Sequence, residues 1–245
     1  MSNPSYILTP VNPQSRIESL DILRGIAVLG IVVMNVQAFA MPEAAYLNPM
    51  AYENLNGPDL WVWLVSHVFA HQKFMAIFSM LFGASVIMLS QKAQKEHLRS
   101  TDLQYKRFIF LGIFGILHAY LIWYGDILLP YAICGLLMYI FRRKKTKVQM
   151  RAGIIFLIIG SAISLLFGYT IPFWEEAELN AVKTETWMPT QEMINQEINS
   201  YHSVWERQIL YRVPQAFDMQ TTVFVFESFW RIAGMMLIGM ALYKR

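Results

Sequence analysis

Apolar residues fall in long blocks separated by short polar loops, and the blocks predict six membrane-crossing helices. The first runs from Leu20 to Phe39, and the second occupies the C-terminal part of Trp61 to Ser90. The third and fourth, Phe108 to Tyr124 and Ile127 to Phe141, are joined only by Gly125 and Asp126. Both are short, so flanking residues or neighbouring helices must complete the crossing. A fifth covers Ala152 to Trp174, and a sixth lies between Val223 and Tyr243. The segment Glu175 to Thr222 is too polar to cross. After a cap at Pro189-Thr190, its residues Ile194, Ile198, Tyr201, Trp205 and Ile209 recur at helical spacing. They predict one amphipathic helix that lies on the membrane surface or roofs a cavity. The fold class is therefore all-α: a polytopic transmembrane bundle forming a single integral-membrane domain over 1–245, with 175–222 inserted outside the membrane.

Composition agrees, at 56% hydrophobic and 15% charged. The net charge of +3 matters less than where the charges lie, and no basic stripe points to nucleic acid. The loop Met41 to Asp59 has no Lys or Arg but carries Glu43, Glu53 and Asp59. Lys92, Lys95, Arg99, Lys106 and Arg107 follow the second block, Arg142 to Arg151 hold six more basic residues, and Lys244-Arg245 follow the last. The basic loops belong on the cytoplasmic side, which puts both termini there and 175–222 outside. Ala38-Phe39-Ala40 after an apolar core also matches a signal-peptide cleavage site, but the long polar lead with Glu18 and Asp21 favours a retained helix. Cys134, alone in an apolar block, reads as a packing residue.

Polar residues inside the apolar blocks are the candidate chemistry, because they are costly to keep in lipid. On a helix, Asp21, Arg24 and Asn35 fall within about 60° of one another, a stripe that should face a protein or water-filled interior. Asp21 and Arg24 should pair, with Asn35 about 16 Å deeper. The alternative is that the three only stabilise helix packing. His118 stands eleven residues beyond Arg107, about 16 Å into the membrane, and is the candidate general base or proton relay. Asp126 sits at the outer turn behind the interface anchors Trp123 and Tyr124, about 12 Å from His118 along a straight helix. The two should share one polar site reached from outside, in direct contact only if the Gly125 bend or a water helps. An interhelical hydrogen bond is the plainer role for His118.

Further candidates are His67 and His71, four residues apart, which read as lining an outer vestibule rather than a metal site since no carboxylate stands between them. Lys73 snorkels or holds an anion, and Glu227 with Arg231 neutralise each other at the start of the last crossing.

Three blocks together resemble the YeiB-like family of bacterial membrane proteins: Ser19-Leu20-Asp21-x-Leu23-Arg24-Gly25 with Asn35, Lys73-Phe74 through Phe78-Ser79 to Phe82-Gly83, and Leu117-His118 through Trp123-x-Gly125-Asp126 to Tyr131-Ala132. That family is usually longer, so the chain reads as the N-terminal part of a longer domain in the bacterial inner membrane. The opening block is also similar to the transmembrane acyltransferase superfamily, which includes the heparan glucosaminide acetyltransferases. The resemblance implies transfer of an acyl group from cytoplasmic acyl-CoA to an extracytoplasmic acceptor, with Asp21 and Arg24 shaping the donor side and Asn35 near the acyl group. Lys73, His71, Glu227 and Arg231 would serve substrate binding, and no metal is implied. The departure is the base: sugar acyltransferases place a histidine where Asn35 stands, and no His occurs between Arg24 and Ser66, so His118, His71 or His67 must act. A small-solute transporter and a non-enzymatic envelope assembly protein are the alternatives, and an oligomer is left open.

Overall fold

The computed structural model describes residues 17–52, 56–97 and 99–245, and every regular element among them is helical. Glu53, counted in the first acidic loop, lies outside the described residues. The helices are α1 (Glu18–Ala40), α2 (Glu43–Leu47), α3 (Gly57–Phe69), α4 (Lys73–Lys95), α5 (Ser100–Leu121), α6 (Leu128–Met138), α7 (Thr146–Thr170), α8 (Glu176–Val182), α9 (Gln191–Tyr201), α10 (Trp205–Asp218) and α11 (Phe229–Tyr243). Among the described residues, four stretches are long and apolar enough to cross a membrane: Glu18–Ala40, Gly57–Lys95, Thr146–Phe173 and Trp205–Tyr243. Helices α5 and α6 stand where the third and fourth crossings were expected. The charged Asp102, Lys106 and Arg107 in the first turns of α5, and the 11-residue length of α6, leave both short of the same standard. Six crossings is thus an approximation.

The core forms where α4, α5, α6 and α11 meet, around Val86, Tyr131, Cys134, Met236, Leu237 and Met240. Helices α4 and α11 cross at backbone contact: a Cβ on Gly83 would meet the Met236 carbonyl, and one on Gly239 the Met80 carbonyl. Small residues at such crossings bring dispersion contacts and weak Cα–H bonds that lipid cannot compete with. Helix α7 packs on α11, and its apolar window is otherwise left unburied.

Leu29, Phe69, Phe114 and Leu165 are each more than half exposed, on α1, α3, α5 and α7. An apolar exterior of this extent is costly in water and fitting in hydrocarbon, consistent with a membrane protein.

The predicted long amphipathic helix is two helices. Thr190 does cap α9, its side chain accepting from the Met193 amide at 3.3 Å. The helix then stops at Tyr201, where Gln208 Nε2 donates back to the Tyr201 and Ser203 carbonyls at 3.0 and 2.9 Å and closes the break. The Tyr201 and Tyr211 rings meet at 5.5 Å, so α10 folds back along α9 and together they roof one end of the bundle.

Candidate functional site

Helix α5 ends at Leu121 because the His118 carbonyl accepts from both Ile122 N (3.0 Å) and Trp123 N (2.9 Å), closing the last turn. The chain then turns through Gly125, where any Cβ would strike the Trp123 indole ring, and brings Asp126 back over the helix end. Asp126 Oδ1 thereby reaches His118 Nδ1 directly at 2.9 Å. The eight-residue separation is therefore not a straight 12 Å, because the intervening residues leave the helix. His118 also sits one turn from the roofed end of α5.

The second carboxylate oxygen, Oδ2, accepts the Leu129 amide in the first turn of α6 at 2.9 Å. A carboxylate so placed faces the positive end of a helix. Both oxygens of Asp126 accept, so Nδ1 of His118 must donate, and in the neutral ring Nε2 then holds the lone pair. The Asp126 side chain is fully buried while a third of the His118 side chain is accessible, and Nε2 has no hydrogen-bond partner among the described residues. Beside it, the Trp123 ring lies edge-on to the imidazole at 6.4 Å and against Phe39 of α1 at 4.7 Å. The Trp123 indole Nε1 is buried without a partner among the described residues. The arrangement can take up a proton at Nε2 and offers an unused N–H donor nearby.

Two other histidines are placed differently. His67 Nδ1 faces the Trp63 carbonyl at 2.9 Å and Nε2 the Tyr46 carbonyl at 2.8 Å, which leaves no ring nitrogen for substrate or metal. His71 lies 5.3 Å from His67 and 5.7 Å from Tyr46 by ring centres, and it feels the charges of Lys73, Glu227 and Arg231. Those four candidates therefore form one cluster at the α3–α4 turn and the start of the last crossing. Arg231 Nη1 bonds Glu227 Oε1 at 3.0 Å, and Lys73 Nζ donates to the His67 carbonyl at 3.3 Å.

The stripe on α1 divides. Arg24 and Asn35 are half-buried against the bundle, while Asp21 stays exposed and bonds Arg24 Nη1 at 2.9 Å. Arg24 Nη2 is buried without a partner, and Asn35 makes no hydrogen bond among the described residues. Arg107, counted in the sequence only as a loop charge, lies over the Phe82 ring at 4.7 Å, donates to Ser85 Oγ at 3.0 Å, and is near enough to be repelled by Arg24.

The chain is 29% identical over 232 residues to the uncharacterised protein YeiB of Escherichia coli K12, covering 92% of this chain and 55% of that protein. It is 34% identical over 171 residues to the uncharacterised protein YxaH of Bacillus subtilis 168, covering 68% of this chain and 40% of YxaH. An uncharacterised 39.9 kDa protein from Bacillus acidopullulyticus matches at 30% over 165 residues, covering 67% and 45%. These matches support a YeiB-like family. The chain spans about half the length of the curated relatives it matches. No family model matches it, and no solved structure does.

Two site residues escaped the sequence reading. Arg212 of α10 is 4% exposed and donates to the Leu121 carbonyl at 2.6 Å, joined by Trp205 Nε1 at 3.2 Å. A guanidinium at the negative end of α5, one turn from His118, fixes where that helix stops. The signal was present: Arg212 shares the apolar face of Trp205, Ile209 and Ala216, where a charge is out of place.

The other is Glu43. Its amide donates to Glu197 Oε1 at 3.0 Å, and its Oε2 accepts from Gln215 Nε2 at 3.2 Å, tying α2 to the roof. The residue keeps solvent contact, but its carboxyl is hemmed in, and desolvation followed by the charges of Glu197 and Asp218 pushes it from 4.5 up to about 7. A raised carboxyl holds its proton in the folded state after the unfolded chain has lost it, so it lowers stability as pH rises from 4.5 to about 7. Glu43→Gln should then raise the unfolding temperature at pH 8 and leave it unchanged at pH 4. A fall at pH 8 would show that the ionised form is the one the roof stabilises.

Proposed function

We propose that the chain carries the base of a membrane acyltransferase that moves an acyl group from cytoplasmic acyl-CoA to a hydroxyl or amine on the far side. The observation that carries this reading is the His118–Asp126 dyad, with its buried carboxylate and an Nε2 that has no partner among the described residues. His118 Nε2 takes the acceptor's proton as the acceptor attacks the thioester carbonyl. The carbon–sulfur bond then breaks, the new carbon–oxygen or carbon–nitrogen bond forms, and the proton passes to the departing thiolate. Asp126 holds the imidazole in the Nδ1–H tautomer and steadies the imidazolium. Arg24, with Asp21, shapes the donor side, and Asn35 lies on the route between. Arg107 and His118 share α5 eleven residues apart, so the thioester carbonyl must reach about 16 Å from the donor side to meet the base. Lys73, His71, Glu227 and Arg231 form the acceptor side near the roof, and the bilayer is the chain's solvent.

Acyl-CoA supplied to one face of vesicles holding the full chain tests this. Thiol release with acyl transfer is expected when it is given on the face bearing Lys92 and Arg142. Solute flux without thiol release would make the chain a transporter, and neither would leave an assembly role. Orientation is checked separately in intact cells. An impermeant thiol reagent should modify a cysteine at Asn195 and spare one at Gln94, with native Cys134 buried and silent. The opposite labelling would reverse the donor and acceptor faces.

A further inference from the structure

At the end of the bundle opposite the roof, a cavity of about 840 Å³ opens between the last turns of α4, the start of α5, residues 142–143 and Lys244. Its volume is that of a small-molecule site. Four cationic side chains line it, Arg99, Arg142, Arg143 and Lys244, with His97 beside them and Asp102 as the one carboxylate. None of the four makes an ion pair among the described residues. Four positive charges against one carboxylate on a concave wall concentrate field where an anion would sit.

Two of these groups are fixed in place. The Arg142 guanidinium lies 3.9 Å from the Tyr139 ring and donates to the Tyr139 carbonyl at 3.3 Å. Lys244 Nζ donates to the Arg142 and Lys144 carbonyls at 2.6 and 3.0 Å, leaving one ammonium proton unused among the described residues. The cavity also receives the first turn of the 22-residue α5, whose N-cap, Arg99, makes no side-chain cap bond. Solvated loop lysines that only set membrane orientation need neither a cavity nor such anchoring.

We propose that this cavity binds a phosphate-bearing ligand, held by Arg99, Arg142, Arg143 and Lys244 at the start of α5. The phosphate comes either from an anionic lipid headgroup or from a soluble organic phosphate. The inference stands on the cavity and not on acyl transfer. Phosphate binding without transfer leaves it intact, and transfer without phosphate binding overturns it alone.

The test uses the full chain. Calorimetry in neutral detergent measures pyrophosphate and ADP, and native mass spectrometry compares nanodiscs of phosphatidylglycerol with nanodiscs of phosphatidylcholine. Binding of pyrophosphate or ADP assigns a soluble ligand, and retention of phosphatidylglycerol alone assigns a lipid. In either arm Arg99→Gln and Arg142→Gln should each weaken binding about tenfold, the loss of one charge-assisted bond. Lys147→Gln removes the same charge outside the cavity and should change nothing. Arg99 is exposed and bonds no side chain among the described residues, so Arg99→Gln keeps the fold and decides the matter if Arg142→Gln does not. No binding of any probe, or an equal loss in Lys147→Gln, would overturn the proposal.

Discussion

Under the proposed acyl transfer, Asp126→Asn is expected to lower the rate as far as His118→Gln does, by about 10²–10⁴-fold each, in protein that still folds. Gln at 118 keeps hydrogen-bonding capacity but cannot take up a proton at neutral pH. The asparagine acts more indirectly. Its carbonyl oxygen still accepts the Leu129 amide that Asp126 Oδ2 holds at 2.9 Å, so the start of α6 survives. Its amide nitrogen must then face His118 Nδ1 as a donor, which forces the ring proton onto Nε2 and removes the base. Loss of a charge at the α6 terminus costs roughly 0.3–1 kcal/mol, too little to unfold the bundle. Thiol release from acyl-CoA measures the rate, and thermal unfolding in detergent checks the fold. Full activity in either variant leaves His118 a packing residue.

The largest stability effect belongs to the α4–α11 crossing. Gly239→Ala places its Cβ on the Met80 carbonyl and Gly83→Ala on that of Met236, and neither backbone group can rotate away. Each substitution should cost about 1–3 kcal/mol, and the pair should prevent stable folding. Among the described residues nothing lies within 4 Å of a Cβ at Gly168 in α7, so Gly168→Ala should be neutral or gain up to about 1 kcal/mol from helix propensity. Unfolding of the purified variants in the same detergent makes the comparison. Equal stability of Gly239→Ala and Gly168→Ala would mean that the two helices are not in backbone contact.

The contrast between these sites shows what a sequence can carry. The apolar blocks on α1, α4, α7 and α11 were legible because hydrocarbon demands long uninterrupted runs. The Thr190 cap was legible because it is a local bond. Where α5 ends was not, since Ile122, Trp123 and Tyr124 are as apolar as the turn before them. What stops the helix comes from Arg212 and Trp205, 91 and 84 residues further along, which take the Leu121 carbonyl. His118 and Asp126 could be singled out as costly residues, but their direct bond depended on that stop and on the turn at Gly125. Glu43 looked like an ordinary loop acid because its partners Glu197 and Gln215 lie on the roof, over 150 residues away. The break between α9 and α10 was hidden because the apolar spacing runs through it unchanged.

Everything proposed for the dyad turns on one imidazole proton. Nitrogen-15 NMR of ring-labelled histidine reads its position directly, and the His118→Gln difference spectrum identifies the signal among five histidines. At a pH where the ring is neutral, a protonated Nδ1 and an unprotonated Nε2 are expected, with the pattern reversed in Asp126→Asn. A wild-type ring carrying its proton on Nε2 would contradict the account.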